Sequence, residues 1–575
     1  MIFEVEFEKN SNLPLSEYPR PQFKRQSYLC LNGFWDYKIE RNGEIKSQGK
    51  INVPYSPESD LSGVLYQVKG GDVLTYERTF TLPSDFNKGV VLLNFGACDQ
   101  ETTVYINGEK VGENYGGYLP FTFDITENLK GGENTVKVVV LDDADSDIYG
   151  RGKQTYKRGG IWYTATSGIW QTVFLESVPK NYIRSIKLTP NYDEKTLKVS
   201  ADTVGSGEIK VEVMDGDAVI STAVGISEVT LDVSNCKEWN LNSPELYKVF
   251  VIYCDDRVES YFGLRKYSII EKGGYKLFAL NNKPVFNNGL LDQGYYHKGF
   301  YTPESNKRMY DDVLTAKTLG YNMLRKHIKV EPLLWYYYCD VLGVLVWQDM
   351  INGGAKYKSH RIMLAPFINL HLNDKNYKSM GRSEKSREQY YKEAYGLQDL
   401  LYNVVSLCVY TPFNEAWGQF DAVKVTSDLR KRDNTRLYDH ASGWQDMGAG
   451  DFQSRHIYFR KARMKNDGKR ILALTEFGGY SLQVKGHVFS NKKFGYKFFK
   501  TQQGLETAYK NLYENEIIPL IKNQGLCATV YTELTDVEDE VNGILTFDRA
   551  LKLNRDFLVE INGKIYESFD EKFNK

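Results

Sequence analysis

No run of apolar residues in this chain is long enough to span a bilayer. The first ten residues, Met1 to Asn10, lack the basic start and apolar core of a secretory leader, so a cytoplasmic location is expected. Neither sign of charge is in excess: 73 Lys plus Arg stand against 74 Asp plus Glu, a net charge of −1. That balance removes the electrostatic footing for nucleic acid or an anionic membrane as the main partner. Cysteine is sparse and scattered (Cys30, Cys98, Cys236, Cys254, Cys339, Cys408, Cys527), with no CxxC pair. Most of the seven sit in apolar runs and read as small buried hydrophobes in a reducing compartment, not as a disulfide frame or a zinc site. No His, Asp and Glu cluster has metal-ligand spacing, and there is no low-complexity tract. No metal site is therefore expected, and no cofactor is required.

What is abundant is aromatic. Tyr, Phe and Trp number 42, 29 and 8 and make up 14 % of the chain. Aromatic faces stack on the C–H faces of sugars, which suits a carbohydrate binder. They also fill pleated surfaces, so a β-rich protein explains much of the same excess. At 575 residues the chain exceeds what one hydrophobic core sustains, and three or four domains are expected.

From Ser27 to Pro179 short alternating strands are broken by Gly and Asn, as in Thr103-Val-Tyr-Ile106 before the Asn107-Gly108 turn. Period-2 alternation of this kind predicts a β-sandwich over 1–179. A second, smaller set of strands predicts an immunoglobulin-like sandwich over 180–267. After Phe262-Gly-Leu-Arg-Lys266 the texture changes, and short apolar runs alternate with helix-period segments such as 304–319, 331–342 and 505–522. Strand then helix, repeated, predicts a (β/α)8 barrel over 268–575. The polar, Lys-rich stretch 353–397 reads as an elaborated loop plus a helix over one barrel face.

Two apolar strands of that barrel run directly into a glutamate. One is Leu407-Cys-Val-Tyr-Thr-Pro-Phe-Asn-Glu415 and the other is Ile471-Leu-Ala-Leu-Thr-Glu476. Barrel enzymes carry their chemistry at the C-terminal strand ends. Hydrolysis of a glycosidic bond with retention needs two facing carboxyl groups, one protonated to donate to the leaving oxygen and one ionised to attack the anomeric carbon. Asn-Glu alone is a weak signal, since Asn515-Glu516 repeats it inside a helix-period segment. The strand-then-rim context gives weight to Glu415 and Glu476 as catalytic residues.

With these motifs in view the chain resembles glycoside hydrolase family 2, which holds β-galactosidases, β-glucuronidases and β-mannosidases. Leu31-Asn-Gly-Phe-Trp35 and Gly160-Ile-Trp-Tyr-Thr-Ala-Thr-Ser-Gly-Ile-Trp-Gln171 are similar to that family's sugar-binding jelly roll. Trp239, Pro244-Glu-Leu-Tyr247 and Phe262-Gly-Leu-Arg265 resemble its immunoglobulin-like domain, and Asn322-Met-Leu-Arg325 and Trp335 to Gly343 its second and third barrel units. The resemblance implies that Glu415 is the acid/base, Glu476 the nucleophile, and Asn414 the holder of the sugar's 2-hydroxyl. It leaves room for a sodium, magnesium or calcium ion beside the site, and for a homo-oligomer.

The departures bear on substrate. Where the galactosidase and glucuronidase branches follow the Arg325 equivalent with Ser-His-Tyr-Pro, this chain has Lys326-His327-Ile-Lys-Val-Glu-Pro332, with the histidine one position early. Asp292 ends the first barrel strand and is a candidate for sugar hydroxyls, or else a turn-capping carboxylate. Tyr531 ends the last strand, where the wider clan often has Trp, and is a candidate to stack the sugar. His456 and Tyr458 precede the nucleophile's strand, and a tyrosine bonded to the nucleophile would help set its charge. Trp417 and Trp444 follow strand ends and are candidates for aglycone contacts, with core packing the alternative. Asn491-Lys-Lys493 is similar to the Asn-x-Lys pair that grips a glucuronate carboxylate, but lies closer to the nucleophile than in that branch. The expected function is a retaining exo-glycosidase acting on terminal glycosides, with β-galactoside the first choice. β-Glucuronidase, β-mannosidase and α-L-arabinofuranosidase are the alternatives, and a non-catalytic carbohydrate-binding protein is the rival class.

Overall fold

A computed structural model describes Val5, Phe7 and residues 13–355 and 372–575. The N-terminal third folds as two facing antiparallel sheets. Six strands run in the order 44–53, 33–41, 73–81, 133–141, 101–106 and 109–115, opposed by four in the order 29–30, 173–178, 90–95 and 121–124. The alternation seen in sequence is literal here, since Glu133–Leu141 buries every second residue. Trp35 sits fully buried between these sheets and donates its indole N–H to Leu31 O at 2.7 Å. A second sandwich pairs a three-stranded sheet (182–191, 196–204, 228–232) with a four-stranded one (218–225, 209–215, 247–253, 256–262). Trp239 leaves that sandwich to join the barrel core, where its indole donates to Asp340 O at 2.9 Å. An aromatic of this size buries about 150–250 Å², roughly 4–6 kcal/mol of apolar transfer, so the sandwich is firmly seated.

A short three-stranded sheet (267–272, 275–280, 283–284) precedes the barrel proper. The barrel strands are β1 (Asn287–Asp292), β2 (Met323–Lys326), β3 (Leu345–Asp349), β4 (Leu407–Thr411), β5 (Leu437–Tyr438), β6 (Phe452–Ile457), β7 (Ile471–Gly478) and β8 (Leu526–Thr532). They pair in parallel in the order β5-β4-β3-β2-β1-β8-β7-β6. Among the described residues β5 and β6 do not pair, so the barrel is closed except for one seam. Asp451 spans it, donating its N–H to Tyr438 O at 2.7 Å and accepting from Tyr438 N at 2.8 Å on Oδ2. Helices Asn306–Thr318, Leu333–Leu342, Glu384–Leu401, Ala422–Arg432 and Gln502–Leu512 pack outside, and Arg555–Phe573 follows β8. The links 439–451 and 458–470, on either side of β6, contain no helix. The helix expected within 353–397 is present as Glu384–Leu401, while residues 356–371 of that stretch lie outside the described residues.

Candidate active site

β4 is an apolar strand that Pro412 terminates, because proline has no N–H to continue the ladder. The chain then turns sharply, with Glu415 and Ala416 both at positive φ (50° and 60°), a region disfavoured for residues with a Cβ. That turn is held from across β5 by Glu415 N–H donating to Ser442 O at 2.9 Å and Ser442 N–H donating to Phe413 O at 2.8 Å. β7 delivers Glu476 from the neighbouring arc of the barrel. An oxygen of Glu415, an oxygen of Glu476 and a ring nitrogen of His456 all lie within 4.8 Å of one another. His456 stands between the carboxylates, its Nδ1 2.8 Å from Glu415 Oε1 and 3.4 Å from Glu476 Oε2.

The two glutamates have unlike surroundings. Glu476 accepts from Arg325 Nη1 at 3.1 Å on Oε1, while the Tyr458 hydroxyl donates to Oε2. Glu415 has no such cation in contact, and burial pushes its carboxyl up to about 7 against the more distant pull of Lys153 and Arg325. Burial also raises Glu476 from its ordinary value, opposed by His456, Arg325 and the Tyr458 hydroxyl and reinforced by the charge of Glu415. His456 is pushed down to about 3 by burial, so it stays neutral.

Arg325 organises this centre. Its Nε and Nη2 clamp Asp349 at 3.0 and 2.9 Å, and Nη2 also reaches Asn414 Oδ1 at 2.8 Å. With its carbonyl oxygen so fixed, the Asn414 amide presents its NH2, which is buried and has no partner among the described residues. His327 is buried too, its Nδ1 2.8 Å from Gln293 Oε1. Its unpartnered Nε2 lies 3.9 Å from Glu476 Oε1. Gln293 in turn donates to Glu533 Oε2 at 2.9 Å. The structure thus brings together Glu415, Glu476, Asn414, Arg325, His327, His456 and Tyr458, and the Trp444 ring lies edge-on to His456 at 5.9 Å.

The structure bears on two further sequence expectations, and for Asp292 it shows the turn-capping alternative. Asp292 is spent within the protein, with Oδ2 on Lys326 Nζ at 2.7 Å and Oδ1 accepting from Gly294 N at 2.9 Å. It caps a turn and anchors a lysine. Tyr531 points out of the barrel, its ring 5.0 Å from that of Tyr509 on a surrounding helix and 5.7 Å from that of Phe477. The next residue, Thr532, faces inward and meets the Tyr458 hydroxyl at 3.0 Å. Trp417 is buried and stacks on Trp162 of the N-terminal sandwich, with ring centres 5.2 Å apart. Sequence reasoning missed Asp349, although β3 delivers it by the same strand-then-carboxylate pattern. It also missed Tyr496, which stacks face to face on Tyr458 at 3.8 Å, and Lys153, for which no local pattern exists.

Comparison with known proteins finds one family model and a set of relatives. Residues 63–179 fit the sequence model of the glycosyl hydrolases family 2 sugar binding domain. A putative beta-glucuronidase of Formosa agariphila is 26% identical over 394 residues, 62% of this chain and 46% of that protein. A beta-galactosidase of Priestia megaterium is 22% identical over 521 residues, 84% of this chain and 47% of that protein. Residues 63–179 thus match the sugar binding domain of glycosyl hydrolases family 2, and the rest of the chain is similar to beta-glucuronidases and beta-galactosidases. It spans about half the length of the curated relatives it matches. Solved structures share the fold of this chain. The beta-D-glucuronidase of Dictyoglomus thermophilum superposes with a TM-score of 0.74 and 18% identity over 95% of this chain and 98% of that one. A GH2 beta-galacturonidase of Eisenbergiella tayi gives 0.72 and 18% over 95% and 98%. In this chain Asn491, Lys492 and Lys493 are exposed, and Lys493 Nζ sits 5.2 Å from the Phe498 ring centre.

Proposed function

We propose that the protein is a retaining glycosidase that removes terminal sugars by double displacement, with Glu476 as nucleophile and Glu415 as acid/base. The observation that carries the reading is the pair itself, with carboxylate oxygens within 4.8 Å of one another. Retaining enzymes hold these groups about 5–5.5 Å apart, while inverting ones need about 6.5–9.5 Å to admit a water. The difference in surroundings supports the division of roles, since Arg325 and Tyr458 both favour ionised Glu476 while Glu415 lacks a cation in contact. Glu476 attacks the anomeric carbon as the bond to the aglycone breaks, and the Glu415 proton passes to the leaving oxygen. Water then gives its proton to Glu415 and displaces the Glu476 carboxylate, returning the original anomer. The Asn414 amide is the donor for the 2-hydroxyl, a contact that strengthens as positive charge develops at the ring.

Glu415, His456 and Glu476 also have the spacing of metal ligands. The guanidinium of Arg325 already bonds Glu476, and an added cation would meet that charge, which supports the carboxylate-pair reading. For the glycone, β-galactoside is the first reading, in keeping with the several relatives named beta-galactosidase. β-Glucuronide is the second, favoured by the relatives of that name, although the exposed Asn491 and Lys493 supply no grip for a carboxylate.

The test is a panel of nitrophenyl glycosides with the product anomer followed by NMR; turnover of none, or an inverted product, rejects the reading. The pH profile is a second expected outcome. Activity should fall as pH rises through about 7, where Glu415 loses the proton it must donate. It should also fall at low pH as Glu476 becomes protonated, the two limbs belonging to the interacting pair. Glu415→Gln should remove the alkaline limb, and a variant that keeps it would place the acid elsewhere.

A further inference from the structure

The N-terminal sandwich sends one loop into the barrel mouth. Arg151 and Gly152 both donate their N–H to Asn352 O, at 2.8 and 3.0 Å, just past the end of β3. Gly152 has φ +59°, and a Cβ there would come within 2.9 Å of Ile328 O, so only glycine lets the loop lie this close. The loop is braced on its other side by Gln154, which bonds Tyr118 at 3.1 Å and Thr166 N at 2.6 Å. Between these anchors projects Lys153.

Lys153 is 7 % exposed, and its ammonium is under-compensated. It donates to the Tyr163 hydroxyl at 3.3 Å, and the nearest carboxylate oxygen, Glu540 Oε2, is 3.9 Å away. An ammonium has three donors, and leaving a buried one short of partners is costly. Among the described residues, the lysines that end and follow β2 are committed. Lys326 bonds Asp292 and Glu331, while Lys329 bonds Glu331 and the carbonyls of Gly294 and Tyr301. Arg325 is held as described. Ile328 and Asn352 follow β2 and β3 and Glu540 follows β8, so Lys153 stands at the barrel mouth where the strand ends carry Asn414 and Glu476, and its charge bears on Glu415, His327 and Glu533. The same wall carries two more unfilled buried acceptors, Glu533 Oε1 and Asn542 Oδ1.

Resting on the glycosidase reading, we propose that Lys153 is a specificity-determining residue of the glycone site. Its ammonium takes an acceptor oxygen, a hydroxyl or a carboxylate, on the sugar edge away from the anomeric carbon. The sandwich is then part of the substrate site and not only a scaffold for it.

The test compares wild type, Lys153→Met and Lys153→Arg on the best nitrophenyl β-glycoside, its 3-, 4- and 6-deoxy analogues and its uronide, with melting temperatures to confirm folding. Lys153→Met should lose about tenfold to a hundredfold in kcat/KM on the sugar bearing the contacted oxygen and little on the analogue that lacks it. Lys153→Arg should recover part of the loss. A loss confined to the uronide identifies a carboxylate, and one abolished by a single deoxy position identifies that hydroxyl. Equal losses on every analogue, or none, overturn the assignment while leaving the hydrolase intact. Wild-type inactivity on the whole set rejects the glycosidase reading and this one together.

Discussion

Glu476→Gly should lose turnover by on the order of 10⁵-fold or more, the scale seen when a covalent nucleophile is removed. The melting temperature should hold or rise, because a buried carboxylate that costs free energy to desolvate has gone. The informative measurement is rescue by azide. In the space vacated by the carboxylate, azide attacks the anomeric carbon once, so a β-glycoside gives the α-glycosyl azide. A β-azide from this variant, or no azide product, would reassign the nucleophile.

Glu415→Ala has the second largest expected effect, and it should depend on the leaving group. An alkyl glycoside needs a proton at the departing oxygen and should slow by about 10²–10⁴-fold. A dinitrophenyl glycoside departs without help, so its first step should be nearly unaffected and the glycosyl-enzyme should accumulate, because water then lacks its base. Azide, which needs no base, should intercept that intermediate and give the β-azide, the opposite anomer to that from Glu476→Gly. Equal losses on both leaving groups would mean that Glu415 shapes the loop and moves no proton. The positive φ at Glu415 makes that a real alternative, since a turn so constrained can depend on its side chain.

The catalytic candidates were legible because each ends an apolar run, and a strand that stops at a carboxylate is visible in one dimension. The two sandwiches were legible through alternation. Tyr531 was misread for a related reason. A parallel barrel strand is buried on both faces, so β8 shows no alternation to tell inward from outward positions, and the reading slipped by one residue from Thr532. The choice between the two readings of Asp292 was not legible because its partners, Lys326 and the Gly294 amide, reveal themselves only in three dimensions. Lys153 lay beyond reach altogether: it comes from another domain, and what marks it is the lack of a close ionic partner in the fold.

The seam between β5 and β6 separates the strand pair carrying Glu415 from the one carrying Glu476. Among the described residues no strand ladder crosses that seam, so on this side of the barrel the gap between the two carboxylates has no sheet pairing to fix it. It is gauged instead by Asp451 on Tyr438, by Ser454 Oγ on Asp439 at 2.8 Å, and by Ser442 Oγ on Thr475 Oγ1 at 2.8 Å and His456 Nε2 at 3.1 Å. The distance that decides stereochemical outcome is therefore written in side chains, where single codon changes can edit it. A lineage of such barrels can drift between tighter and wider carboxylate spacings in small heritable steps, without passing through a broken sheet.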